Sequence, residues 1–219
     1  MRFIVIVLIV QFTAFSGFAQ EFTTKYEKSG FKETTTFDET IDYCQKLAHH
    51  SDKLHYSTFG KSSRRYDLPY MVADKEGLTD PEKIKKSGRT ILMVQCGIHP
   101  GESEGKDAMM MLLRDAFIKG DKQNLFDKVS VLWIPVFNVD GDHRFGPYGR
   151  INQNGPEEMG WRVNSRNLNL NRDYLKADTP EMRHWLGLWN EWLPDFFIDC
   201  HTTDGADYQY VLTYAMETL

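Results

Sequence analysis

The chain has 219 residues and a formal net charge of −5 at pH 7, with 41% hydrophobic and 26% charged residues. This composition is typical of a globular protein with one sizeable core. The slightly acidic balance excludes a broad basic surface for nucleic acid, and no Lys/Arg-rich amphipathic stretch indicates binding to a membrane surface. We therefore expect a small molecule or a peptide as the partner.

Residues 1–20 have the pattern of a secretory signal peptide. Arg2 precedes an apolar block at 3–10, and small and polar residues follow up to Gln20. Polar residues interrupt the apolar block before it reaches the roughly 20 residues that a membrane span needs, although an uncleaved N-terminal anchor is the alternative. The pattern predicts export to a periplasmic or extracellular location, with no stable membrane span after cleavage.

The rest of the chain divides into a lead-in and one domain. Residues 21–36 are polar and Thr-rich, which predicts a flexible lead-in, and the catalytic domain is predicted over 37–219. Apolar residues at helical spacing predict a helix over 38–51, and short strands are expected on either side of the turn at 60–63.

Strands and helices then alternate. The pattern predicts strands at 90–98, 129–137, 196–200 and 208–214, a helix at 102–119 that ends at Gly120, and a helix that begins at Pro180 after Thr179 and ends before Pro194. The segment 141–169 has almost no periodicity, and a loop of that length is usually functional. The order predicts an α/β fold with a mixed, mostly parallel sheet flanked by helices.

Two histidines and one glutamate follow strand-like runs and suggest a metal site. His99 and Glu102 follow the strand at 90–98, and His201 follows the strand at 196–200. Because ligands gather at the carboxyl ends of the strands in open α/β sheets, these residues are expected to converge. Two imidazoles and one carboxylate are an open zinc site, in which a bound water reaches a pKa of about 7 and a neighbouring carbonyl is polarised.

The H-x-x-E spacing is weak evidence by itself. His49 and Asp52 have the same spacing with an aspartate, on a polar helix face. An ordinary loop histidine and a carboxylate that favours a helix N-terminus are the alternative interpretations of His99 and Glu102. Their position between a buried strand and a helix, with Gly97 nearby, favours the metal site.

The three cysteines do not predict a disulfide framework. Cys44, Cys96 and Cys200 are an odd number, and two of them lie in apolar strand-like runs, as buried thiols do. Cys200 adjoins His201, but neighbouring strand residues point to opposite faces, so the pair does not readily bind one ion. Cys200 is assigned to the core.

Arginine and asparagine side chains near the predicted site suggest how a substrate is held. Asn171 and Arg172 follow 168–170, which alternates like a short strand. Arg binds a carboxylate through two parallel hydrogen bonds, and Asn adds a neutral one. A surface ion pair is the alternative interpretation of Asn171 and Arg172. Arg162 or Arg166, just upstream, could stabilise an oxyanion.

These motifs resemble the zinc metallocarboxypeptidases related to carboxypeptidase A, and the similarity covers the chain from about Phe37 onwards. The motifs, in the family's order, are His99-Pro100-Gly101-Glu102, Asn138-Val139-Asp140-Gly141, Trp161-Arg162, Leu170-Asn171-Arg172 and His201. The resemblance implies a carboxypeptidase-like (phosphorylase/hydrolase-like) fold, one Zn²⁺ per chain, and a substrate with a free carboxylate. It also implies three roles: His99, Glu102 and His201 bind zinc, Asn171 and Arg172 hold the substrate carboxylate, and Arg162 polarises the scissile carbonyl.

Departures from the family pattern leave the substrate open. Gly101 stands where digestive members carry an arginine, and the short loop between Arg162 and Arg172 resembles the acylamino acid deacylase branch. The family's general base is a glutamate well beyond the third ligand, so we expect the chain to be the N-terminal part of a longer hydrolase. A zinc deacylase, a cell-wall peptide amidase and a non-catalytic binding module are the alternatives to a carboxypeptidase.

Overall fold

A mixed five-stranded sheet lies at the centre of the computed structural model, which describes residues 22–203, 206 and 208–216. The strands are β1 (Leu54–Lys61), β2 (Asp67–Ala73), β3 (Thr90–Gln95), β4 (Val129–Ile134), the two-residue β5 (Gly146–Pro147) and β6 (Glu158–Met159), and β7 (Phe196–Asp199). The sheet order is β1-β2-β4-β3-β7, and β5 pairs with β6 separately. The predicted α/β class with a mixed sheet is confirmed.

Three neighbouring strands, β4, β3 and β7, form the parallel part of the sheet. β3 pairs in parallel with β4 and with β7, while β2 pairs antiparallel with β1 and β4. In the register, Gln95 lies beside Ile134 on one side and beside Asp199 on the other. The carboxyl ends of β3, β4 and β7 therefore meet at one edge, where the chain continues towards the predicted site.

Helices cover both faces of this sheet. They are α1 (Lys25–Lys28), α2 (Phe37–His50), α3 (Pro81–Lys86), α4 (Glu104–Arg114), α5 (Val139–Asp142) and α6 (Pro180–Trp192). Thr36 and Glu39 form a capping box at the start of α2, and Thr179 caps α6 with Pro180 in its first turn. After α4 a π turn, Asp115–Lys119, leads to Gly120 at φ +84°, a left-handed conformation that glycine adopts without strain.

The side chains of each strand alternate between the two faces of the sheet, so the core is divided into two clusters, one on each face. Val131 and Trp133 of β4 pack with residues of α2 and α4, whereas Leu132 and Ile134 pack with residues of α3 and α6. Because successive side chains of a strand point to opposite faces, a strand that is apolar at every position is buried on both sides. The burial of these four side chains explains the near-continuous apolar run in the sequence.

The described part of the lead-in, residues 22–36, differs from the predicted flexible segment. Phe22 is 1% exposed and belongs to the core cluster that α2 and α4 cover. Thr24 and Glu27 form a capping box that starts α1, and Arg114 donates a hydrogen bond to the Phe22 carbonyl. The prediction of a flexible lead-in, which rested on its polar composition, is therefore wrong for residues 22–36. These residues are folded against the domain. The predicted signal peptide, residues 1–20, lies outside the described residues.

Two predicted strands are absent from the described residues. Residues 208–214 form no strand, because no strand among the described residues pairs with them. The side chains of Tyr208, Val211 and Leu212 are exposed. The stretch 168–170 is not a strand either, since the Asn169 side chain accepts a hydrogen bond from the Asn171 N–H and starts the 3₁₀ turn Leu170–Arg172. Within the same described ranges, none of the helices has the length and apolar character needed to cross a bilayer.

Candidate metal centre

The two histidines of the site are brought together by the parallel pairing of β3 and β7. His99 lies four residues after Gln95, and His201 lies two residues after Asp199, the residue that pairs with Gln95. Between β3 and His99 the chain turns at Gly97, which has φ +64° and lies so close to the segment after β4 that a Cβ would be 3.2 Å from the Val136 Cα. Glycine is therefore required for this turn.

Glu102 lies between the two imidazoles. Its Oε1 is 3.1 Å from the His99 Nδ1, and its Oε2 is 2.8 Å from the His201 Nδ1. One ligand atom from each of the three residues lies within 4.8 Å of the others. Two nitrogens and a carboxylate at this spacing fit a zinc ion that keeps a further position for water or substrate.

The outward nitrogen of each imidazole has its own partner. The His99 Nε2 lies 3.1 Å from the Asn169 Oδ1, and the His201 Nε2 lies 3.0 Å from the Asp199 Oδ2. An acceptor at Nε2 holds the proton on that nitrogen and leaves the Nδ1 lone pair directed at the metal position. These contacts are the observation that makes the donor set suitable for a divalent ion.

Glu102 is kept ionised although it is buried. Burial opposes its charge, but hydrogen bonds with His201, His99 and Arg150 outweigh burial and hold the pKa of Glu102 well below its ordinary value. For His201, hydrogen bonds to Asp199 and then to Glu102 raise the pKa to about 10. A metal ion therefore has to displace a proton from His201, as is usual for ligands that bind metals in their deprotonated form.

Two arginines contact the same oxygen of Glu102. The Nη1 of Arg150 is 2.7 Å from Oε1, and the Nη1 of Arg162 is 3.2 Å from it. The Arg150 side chain is 3% exposed, whereas that of Arg162 is 33% exposed. Arg150 reaches the site across Gly101, where a Cβ would be only 2.6 Å from the Arg150 Cγ. The missing side chain at position 101 thus makes room for a guanidinium from the long loop.

The Asn138–Gly141 motif holds the backbone of Arg162. The Asn138 side chain accepts from the Gly141 N–H and donates to the Arg162 carbonyl, while the Trp161 N–H donates to the Gly141 carbonyl. A Cβ on Gly141 would be 2.4 Å from the Trp161 carbonyl oxygen, so only glycine allows this approach. The motif is therefore a connection between the end of β4 and the segment that carries Arg162.

The remaining arginine and asparagine residues of the predicted site lie close to the metal centre or on the exposed surface beside it. The Asn171 Nδ2 is 3.3 Å from the His201 Nε2, which places the amide at the rim of the metal centre. The Arg172 side chain is exposed and its Nη1 donates to the Asn171 carbonyl. Arg166 is exposed, and its backbone N–H donates to the Asn164 side chain. The structure brings His99, Glu102, His201 and Arg162 together, and the substrate-binding roles of Asn171 and Arg172 stay predictions.

Sequence reasoning missed three residues of the site. Asn169 and Asp199 orient the imidazoles, and Arg150 neutralises Glu102. The position of Asp199 at the end of the strand before His201 was a usable signal, because metal-bound histidines usually donate to a carboxylate or carbonyl. Arg150 had no motif, since it comes from the aperiodic segment 141–169.

Comparisons with known proteins agree with this geometry. A family model described as zinc carboxypeptidase matches residues 40–208, and no curated protein sequence matches the chain significantly. A carboxypeptidase A from Helicoverpa armigera has 18% identity and a TM-score of 0.60, over 79% of this chain and 47% of that chain.

Two bacterial structures have similar folds. One, from Shewanella denitrificans OS-217 and named as a carboxypeptidase A, has 20% identity and a TM-score of 0.61, over 78% of this chain and 41% of that chain. The other is a metallo-carboxypeptidase from Pseudomonas aeruginosa in complex with (2-guanidinoethylmercapto)succinic acid, with 18% identity and a TM-score of 0.58, over 78% of this chain and 41% of that chain. The chain spans less than half the length of these proteins. Since the family model covers most of the sequence, the chain belongs to the zinc carboxypeptidase family.

Proposed function

We propose that the protein is a zinc-dependent metallocarboxypeptidase that hydrolyses the C-terminal peptide bond of its substrates. The observation that carries this proposal is the convergence of two Nδ1 atoms on the carboxylate of Glu102, with both Nε2 atoms held by other acceptors. Zinc bound there would activate a water molecule and polarise the scissile carbonyl. Membership of the zinc carboxypeptidase family supports the same assignment.

The protein's own residues would bind and orient the peptide. Arg162 lies beside Glu102 and is partly exposed, so its guanidinium is positioned to stabilise negative charge that develops on the carbonyl oxygen. Asn171 lies at the rim and Arg172 is exposed next to it, and we assign both to the substrate's terminal carboxylate. By the resemblance, the proton acceptor is a glutamate further along the chain than His201.

A carboxylate-bearing ligand is consistent with the related structures. The compound bound to the Pseudomonas aeruginosa metallo-carboxypeptidase is a succinic acid derivative and so carries carboxylates. We propose that this protein likewise recognises a free carboxylate, and that it acts after export, in the periplasm or outside the cell. Acyl amino acids and cell-wall peptides also carry a carboxylate, so an assay panel must include them with blocked dipeptides.

Metal analysis of histidine variants tests the centre. We expect His99→Ala and His201→Ala to abolish stoichiometric zinc in the natural protein, measured by elemental analysis after dialysis, because each removes one of three ligands. His49→Ala is the matched control, since His49 has the same spacing to Asp52 but lies on α2. Retention of one zinc per chain in either ligand variant would contradict the proposal.

Kinetics of the rim residues test the substrate class. Arg172→Ala is expected to raise KM for substrates with a free C-terminal carboxylate by about tenfold or more, because a charge-assisted hydrogen bond is lost. The weaker activity expected towards a C-terminally amidated peptide, which lacks that carboxylate, should not change. Equal effects on both substrates, with zinc fully bound, would argue against carboxylate recognition by Arg172. Absence of turnover of all three substrate classes would favour a non-catalytic module.

A further inference from the structure

Two cysteines occupy neighbouring positions at the ends of adjacent strands. Cys96 follows β3 and Cys200 follows β7, and the Cys200 N–H donates to the Gln95 carbonyl at 2.9 Å. Because Gln95 is paired with Asp199 in the parallel register, the next residues on each strand face each other and point to the same side of the sheet. Both belong to the side covered by α4.

The two sulfur atoms lie against the same glycine of α4. A Cβ on Gly105 would be 2.7 Å from the Cys200 Sγ and 3.1 Å from the Cys96 Sγ, so both sulfurs lie against the first turn of α4. Neighbouring strands are about 4.8 Å apart, within the Cα separation of about 4.4–6.8 Å that a disulfide spans.

We propose that Cys96 and Cys200 are a dithiol that closes to a disulfide, and that closure weakens metal binding by moving His201. The oxidant is a low-molecular-weight disulfide such as oxidised glutathione. The Cys200 sulfur attacks it, forming a mixed disulfide and releasing one thiol. The Cys96 sulfur then attacks the Cys200 sulfur and releases the second thiol, so that two protein thiols are oxidised and one small disulfide is reduced.

The order of these steps follows from burial. Cys96 is fully buried, whereas Cys200 is partly exposed and can meet the small disulfide first. Cys96 then serves as the resolving thiol from within the core. An exported protein meets an oxidising environment, where such a disulfide persists.

Closure of the disulfide acts on the metal centre through the backbone. Side chains stand roughly perpendicular to the sheet, so the Cβ atoms of paired residues are spaced like the strands, and a disulfide with a Cβ separation of about 3.8 Å draws them together by about 1 Å. Cys200 is bonded directly to His201. Metal-ligand distances tolerate only about 0.2 Å, so this displacement disturbs the third ligand. The effect on zinc rests on the proposed function, whereas formation of the disulfide does not.

The experiment uses the natural protein in mixtures of reduced and oxidised glutathione. Peptide mapping by mass spectrometry should find a Cys96–Cys200 linked peptide, and chelator competition should show zinc affinity at least about tenfold lower in the oxidised form. Addition of a reductant should remove the linked peptide and restore the zinc affinity. Cys200→Ser is expected to bind zinc equally well before and after oxidation, and Cys96→Ala should do the same. Cys44→Ser, a buried cysteine of α2, is the matched control and should respond like the natural protein.

Three results have distinct consequences. Absence of the linked peptide after oxidation would overturn the proposed pair. A linked peptide with unchanged zinc affinity would overturn the coupling to His201. A reduced protein that forms the linked peptide on oxidation but never binds zinc would confirm the disulfide and overturn the proposed function.

Discussion

The two sides of the metal centre differ in how firmly the fold holds them. On the side of β3 and α4, His99 and Glu102 are each 3% exposed and lie between a central strand and a helix. On the side of β7, His201 is exposed, and its strand pairs with β3 alone among the described residues. We refer to these as the buried side and the edge side of the centre.

Charge compensation differs in the same way. The buried side holds the Glu102 carboxylate against the almost completely buried guanidinium of Arg150. The edge side relies on Asp199, whose carboxylate contacts the exposed imidazole of His201 and also accepts from Gln95. Buried charges are costly unless they are paired. Removal of a charged partner should therefore lower the stability of the protein more on the buried side than on the edge side.

Replacement of Arg150 should have the largest effect. Arg150→Met leaves Glu102 with one fewer buried partner, and we expect the metal-free protein to lose about 3–5 kcal/mol of unfolding free energy. Arg162→Met should cost at most about 1 kcal/mol, because the Arg162 side chain is partly exposed. Denaturant unfolding of both metal-free variants measures the difference.

Bound zinc should change the effect of the Arg150 replacement. A bound cation would supply positive charge to Glu102, so the penalty for Arg150→Met should be smaller in zinc-saturated protein than in metal-free protein. Equal penalties for the two arginine variants, with and without zinc, would show that burial of the guanidinium is not what distinguishes the buried side.

The buried side also contains a carboxylate without a partner. Asp142 is 1% exposed, and neither of its side-chain oxygens has a hydrogen bond among the described residues. Burial raises the pKa of Asp142 to about 6, despite the nearby positive charge of Lys106. A carboxyl group whose pKa is raised on folding stabilises the protein below its unfolded pKa of about 3.9, and that stabilisation is lost as the pH rises to about 6.

Asp142→Asn should remove this pH dependence. We expect the natural protein to lose about 2 kcal/mol of stability, relative to the variant, between pH 4 and pH 7. Denaturant unfolding across this range measures the slope, and Asp121→Asn, at an exposed position, is the control that should keep the natural profile. Parallel profiles for the natural protein and Asp142→Asn would show that folding does not raise the pKa of Asp142.

The sequence was sufficient for the three proposed ligands because all three follow closely on strand ends: His99 and Glu102 lie four and seven residues after β3, and His201 lies two residues after β7. Their convergence follows from strand order and register, both of which apolar runs and helix signals indicate. The motif order identified Arg162 for a related reason, since Asn138 and Gly141 hold its backbone through local contacts.

The contacts that the sequence did not predict depend on the path of irregular segments. Arg150 reaches Glu102 from 48 positions away, through a loop with no periodicity. Asn169 seemed part of a strand, but its side chain forms a turn and also contacts His99. The predicted strand at 208–214 shows the opposite error, because an apolar pattern forms a strand only where a neighbouring strand pairs with it.

The partners of the two imidazoles should differ least between the two sides. Asn169→Ala on the buried side and Asp199→Ala on the edge side should each lower zinc affinity by about 10- to 100-fold, measured by chelator competition. The loss should be larger for Asp199→Ala, because its hydrogen bond to His201 is charge-assisted and the exposed ring has fewer packing neighbours to hold it. Tyr174→Phe removes another contact of Asp199 without touching His201, so it should leave the affinity nearly unchanged. A larger loss for Asn169→Ala would mean that packing does not hold His99, and the buried side would then depend on its hydrogen bonds as much as the edge side does.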